Sequence, residues 1–94
     1  MDFNNRDVNL VLLMEECAEV IKMCSKVYRF GINDTYKGQS NLDRLSRELG
    51  DLLAVIDIIK HDYRISNSLL NEAKDDKRTK LSNNYKYRGE QAWT

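Results

Sequence analysis

Two stretches of this chain, Arg6 to Phe30 and Leu42 to Arg64, carry apolar residues mostly at spacings of three and four, with little strict alternation and no proline anywhere. That periodicity predicts helices, and nothing in either stretch interrupts them. The first helix is expected from about Arg6 to Phe30, capped by Asn4 or Asn5 and stopped by Gly31. Residues 31–41, GINDTYKGQSN, read as a polar loop with two glycines. A second helix is expected from near Leu42, capped by Ser40 or Asn41, to Tyr63 or Arg64. After a short break at ISNS, a third runs from about Leu69 to Asn84, and the tail YKYRGEQAWT (85–94) reads as irregular. The third starts with Leu69, Leu70 and Ala73 and then turns charged at KDDKRTK, so its second half should leave the core or line a polar site. Two long helices with a short connection pack antiparallel. The expected class is all-α: one helical domain over 1–94, an antiparallel bundle.

Composition narrows the function classes. Fifteen basic and fifteen acidic residues cancel, which argues against a generic nucleic-acid binder and against a membrane surface. The start, MDFNNRD, lacks the features of a signal peptide, and no apolar run approaches the roughly 18 residues of a membrane span. Cys17 and Cys24 lie about 10 Å apart along one helix, beyond disulfide reach, and C-x6-C is no metal-ligand spacing. They read as small core residues in a reducing cytosol, so a cytoplasmic location is expected.

The chemistry concentrates in acidic residues set among apolar ones. At 100° per residue the main apolar face of the first helix collects Leu10, Leu13, Cys17, Val20, Ile21, Cys24 and Tyr28. Glu16 falls at its edge and Glu19 about 60° further round, with Leu12 one turn before Glu16 and Met23 one turn after Glu19. Glu15 borders the same stripe. In the second helix Glu48 and Asp51 share one face, continued by Val55 and Ile59. Arg44, four residues before Glu48, is a candidate partner for it, and Gly50 offers a place for close approach by another helix or a ligand. Four carboxylates brought together repel one another and raise one another's pKa values unless a cation intervenes. Oxygen ligands suit Mg²⁺ or Mn²⁺, and Mg²⁺ also binds substrate phosphates. The implied chemistry is metal-assisted attack of water on a phosphate chain. The plainer alternative is that these are solvated acidic faces. Two pairs, on adjacent helices and each edged by apolar residues, count against it.

These residues resemble a known pattern. EECAE at 15–19 and ELGD at 48–51 match the E-E-x-x-E and E-x-x-D signature of the MazG-like all-alpha nucleoside triphosphate pyrophosphohydrolases, and the likeness covers roughly residues 8 to 65. The resemblance implies Mg²⁺-dependent hydrolysis of a nucleoside triphosphate to monophosphate and pyrophosphate. Glu16, Glu19, Glu48 and Asp51 match the metal-holding positions. Glu15 would orient or deprotonate the attacking water, or hold a further metal. In KLSNNYKYRG, Lys80 and Asn84 match a lysine and asparagine of a later family helix, and with Arg88 would contact phosphate or sugar. Phosphoribosyl-ATP pyrophosphohydrolases share the acidic pattern but usually carry a Tyr-His-like pair where this chain has LLAVID. A compact MazG-like enzyme of bacterial or phage type fits better. The rival from another class is a non-catalytic helical binding module.

Other residues carry weaker signals. His61 reads as a surface residue, and Tyr36 and Trp93 as candidates for base stacking or for subunit packing. The two long helices are apolar too far round for each to be covered by one neighbour. A second copy should therefore complete the bundle. The resemblance also implies a homodimer or homotetramer, with Lys80 or Trp93 of one copy reaching the other's site.

Overall fold

The computed structural model describes residues 5–84. It divides into two units, residues 1–64 and 65–94. The first holds helix α1 (Asn5–Phe30), a two-stranded hairpin of β1 (Thr35–Tyr36) and β2 (Gln39–Ser40), and helix α2 (Asn41–Tyr63). The second holds helix α3 (Asn67–Asn84). The chain is mostly helical, as the spacing predicts. No helix among the described residues is long and apolar enough to cross a membrane.

The ends of α1 and α2 follow from local chemistry. Gly31 adopts φ 95°, a left-handed conformation that costs glycine nothing, and its N–H donates to Val27 O at 2.8 Å. Ser40 caps α2, its Oγ accepting from the Asp43 N–H at 3.1 Å. The connection expected as plain loop contains the hairpin, paired Thr35 with Ser40 and Tyr36 with Gln39. Lys37 and Gly38 turn it with φ 50° and 81°, the two positive values a type I′ turn needs. Asn41 pins the hairpin to α1: it is 3% exposed and its amide donates to Gly31 O at 2.8 Å. At the other end of the pair Asn9 Nδ2 donates to Asp62 Oδ2 at 2.6 Å, which fixes the antiparallel arrangement.

The packed face of α1 differs from the expected one. One stripe of half-buried side chains runs through Asn9, Leu12, Leu13, Glu16, Val20 and Val27 with Met23 buried, and Asp7 and Lys26 are half-buried to either side of it. Leu10, Met14, Cys17, Ile21, Cys24 and Tyr28 form a second stripe, all exposed, with Ile21 at 70%. Its centre lies about 110° round the helix from the first. The expected face blended these two stripes. Both cysteines are therefore exposed and free, not core residues. On α2, Asn41, Glu48, Leu52, Val55 and Ile59 face inward, and Leu42, Leu49 and Leu53 stay exposed, again about 110° round. In an antiparallel pair equal rotations of the same sense point to the same side, so the two exposed stripes form one apolar face. Among the described residues Met23, Val55 and Ile59 are the buried apolar side chains, a small core for this much apolar sequence.

Gly50 meets nothing: a Cβ built there has no heavy atom within 4 Å, so neither a close helix nor a tight turn explains it. Gly50→Ala should therefore stabilise α2 by up to about 1 kcal/mol, read from the urea midpoint at unchanged slope. A destabilised variant would mean that an unseen neighbour occupies that space.

In the second unit, Ser66 Oγ accepts from the Leu69 N–H at 3.2 Å, so α3 starts two residues before the expected Leu69. Most of α3 is exposed, Lys80 included.

Candidate metal centre

Glu16 does not sit at the edge of an apolar face. It occupies the middle of the stripe that α1 presents to α2, between Leu13 and Val20. Across from it, the three-residue spacing puts Glu48 and Asp51 on one side of α2. One carboxylate oxygen from each of Glu16, Glu48 and Asp51 lies within 4.8 Å of the others. Glu16 and Glu48 are half-buried and Asp51 is exposed.

The electrostatics match this crowding. Partial burial, and next the charges of Asp51, Glu48, Glu19 and Glu15, raise the Glu16 pKa above the ordinary glutamate range. No lysine or arginine forms an ion pair with these three carboxylates among the described residues, where the close pairs of opposite type are His61 with Asp62 and Arg78 with Asp75. Arg44 does not pair with Glu48. Its guanidinium lies 5.1 Å from the Tyr36 ring centroid and donates to Asn41 Oδ1 at 3.4 Å. With three convergent oxygen donors and no direct ion pair to them, the residues present fit a hard divalent cation.

A raised carboxyl pKa has a definite sign in stability. The folded chain holds the Glu16 proton more tightly than the unfolded chain does. Metal-free stability from this group is therefore full below the ordinary glutamate pKa and is lost as pH rises through the raised value. Without metal at neutral pH, Glu16→Gln should melt above the unmodified protein, and the gap should close in acid. Thermal melts between pH 4 and 8 (roughly the window in which a shifted carboxylate titrates) check this. A gap that widens in acid would contradict the crowding.

Not every expected residue joins the cluster. Glu19 lies outside the three, on the wall of an adjoining cleft of about 170 Å³ that it shares with Glu48. Glu15 is exposed, and its charge is the last-ranked contributor to the Glu16 shift. Lys80 is an exposed residue of the second unit. Asn84 ends α3, and Arg88 and Trp93 lie outside the described residues. His61 is exposed, as expected.

That cleft also gathers basic residues that the acidic motifs do not announce: Lys22, Lys26, Arg44 and Arg47 line it beside Glu19 and Glu48. None of the four makes an ion pair among the described residues. Their signal was present in the spacing. Lys22 and Lys26 continue the Glu15–Glu19 stripe at helical intervals, and Arg44 and Arg47 precede Glu48 and Asp51 on the facing helix. The chain matches no family model, no curated protein and no solved structure.

Proposed function

We propose that this chain is a Mg²⁺-dependent nucleoside triphosphate pyrophosphohydrolase, cleaving (d)NTPs or related nucleotides to monophosphate and pyrophosphate. The observation that carries the reading is the convergence of Glu16, Glu48 and Asp51 from two helices, beside a cleft in which four cations make no ion pair among the described residues. The resemblance of EECAE and ELGD to the MazG-like signature points the same way. Glu16, Glu48 and Asp51 would hold Mg²⁺ or Mn²⁺, with Glu19 as the fourth carboxylate of the set. When bound, the cation neutralises these carboxylates and polarises the phosphate chain.

The chain's own groups do the rest. Glu15 takes the proton from water as the water oxygen bonds to phosphorus and the bond to the pyrophosphate oxygen breaks. Lys22, Lys26, Arg44 and Arg47 offset charge on the phosphate oxygens. Lys80, Asn84 and Arg88 enter the proposal through the resemblance alone. Purified protein given a panel of nucleotides should release pyrophosphate with Mg²⁺ and stop in EDTA. Silence on every nucleotide in Mg²⁺ and Mn²⁺, or release unaffected by EDTA, contradicts the reading.

The proposal includes a second copy. The exposed face carrying Leu10, Met14, Cys17, Ile21 and Tyr28 of α1 with Leu42, Leu49 and Leu53 of α2 fits a partner equally apolar, and another copy of this chain supplies one. Sedimentation at micromolar concentration should give a homodimer or homotetramer. The double variant Ile21→Glu with Leu53→Glu should sediment as a monomer, because each change buries an unpaired charge in the contact. An unmodified protein that sediments as a monomer overturns the assembly and leaves the metal chemistry standing.

A further inference from the structure

Two residues of the cleft beside the carboxylates face a second space as well. Lys26 and Arg44 also line a second cavity, of about 410 Å³, whose remaining walls are Phe30, Asp34, Thr35, Tyr36 and Asn41. It lies where the end of α1, the hairpin and the start of α2 meet. The two basic residues are common to both spaces, so they stand between the carboxylates and the rings of Phe30 at the end of α1 and Tyr36 on the hairpin.

The walls are held in place by the fold. Buried Asn41 bonds Gly31 O and accepts from Arg44, so the residue that ties the hairpin to α1 also orients the guanidinium. Arg44 in turn lies against the Tyr36 ring. Tyr36 and Phe30 are 56% and 58% exposed, with Lys37 5.4 Å from the Tyr36 ring centroid and Arg29 5.0 Å from that of Phe30, so a base that stacks there displaces a solvated side chain. The volume is at the scale of small-ligand pockets, roughly 300–1,000 Å³. Aromatic rings with adjacent unpaired cations suit a ligand that is a flat ring at one end and an anion at the other.

We infer that the hairpin cavity holds the base and sugar of a nucleotide between Phe30 and Tyr36, with Arg44 and Lys26 on its first phosphate and the rest of the phosphate chain directed along Lys22 and Arg47 toward the carboxylates. This rests on the nucleotide reading of the acidic cluster and assigns the end of the substrate that the cluster leaves open. Tyr36 contacts the ring, and Arg44 both contacts phosphate and positions Tyr36.

The test uses nucleoside monophosphates in EDTA, where no metal is bound and no hydrolysis occurs. Calorimetry on the full chain should detect their binding, and should show inorganic phosphate binding more weakly. Tyr36→Ala should weaken monophosphate binding by about tenfold, within the range for loss of a stacking partner, and leave inorganic phosphate unchanged. Arg44→Gln should weaken both. Tyr36→Phe, which keeps the ring, should bind as the unmodified chain does, and this separates stacking from a folding defect. Monophosphates that bind no better than phosphate, or a Tyr36→Ala chain that binds them undiminished, overturn the inference. Because turnover is not read, a chain that binds in this way but releases no pyrophosphate would refute the hydrolase and keep the cavity. A hydrolase indifferent to Tyr36→Ala would do the reverse.

Discussion

Asp51→Asn should abolish pyrophosphate release while the chain stays folded. Asp51 is the exposed member of the carboxylate cluster, so replacing it with an isosteric amide removes a charge without opening a cavity in the small core. The amide keeps an oxygen but loses the negative charge that holds a hard cation. If the cation contributes several kcal/mol to the transition state, its loss costs about 10²- to 10³-fold or more in rate. The same variant should lose the thermal stabilisation by Mg²⁺. For the unmodified chain, Mg²⁺ at ten times its dissociation constant adds about 1.4 kcal/mol, or roughly 6–11 °C in Tm for a domain of this size. Circular dichroism at 222 nm should show unchanged helix content. Activity and Mg²⁺ response both intact in Asp51→Asn would remove this residue from the site.

The second large effect belongs to Glu15, and it separates proton transfer from metal holding. Glu15 is exposed and lies outside the three converging carboxylates, yet its charge bears on Glu16. As the group that takes the proton from water, it should lower turnover by about 10²-fold or more when changed to glutamine. Mg²⁺ binding should weaken far less, because none of the three converging ligand atoms is touched. Steady-state rates and calorimetric Mg²⁺ titrations on the same preparation give both quantities. Equal losses of turnover and Mg²⁺ affinity would make Glu15 a ligand instead of a base.

What the sequence could disclose divides along a physical line. Helix ends were legible because local chemistry sets them: Gly31 has the backbone freedom to stop α1, and Ser40 has the hydroxyl to start α2. The acidic spacing was legible too, since Glu48 and Asp51 must share a face on any helix. The direction in which α1 faces was not. Its apolar residues span an arc wide enough for two partners, and periodicity alone cannot assign α2 to Met23 and Val20 and leave Ile21 and Cys24 exposed. That ambiguity misplaced both cysteines and set Glu16 at an edge when it lies in the middle of the contact. The hairpin was missed because Lys37–Gly38 is a less usual pair than Asn–Gly for a turn with two positive φ values. The cations of the cleft went unread because each pair lies on a different helix, and only the antiparallel register brings Lys22 and Lys26 opposite Arg44 and Arg47.

Whether Glu16, Glu48 and Asp51 hold a divalent cation is decided by a Mg²⁺ titration followed by thermal unfolding. At neutral pH the midpoint should climb steadily with Mg²⁺, with Mn²⁺ acting likewise. The climb should be smaller in mild acid, where the raised Glu16 pKa leaves a proton competing for the same oxygen. In saturating Mg²⁺ the unmodified chain should melt above Glu16→Gln, reversing the order expected without metal. A midpoint that stays flat from micromolar to millimolar Mg²⁺ and Mn²⁺, with Glu16→Gln the more stable protein throughout, would contradict the claim.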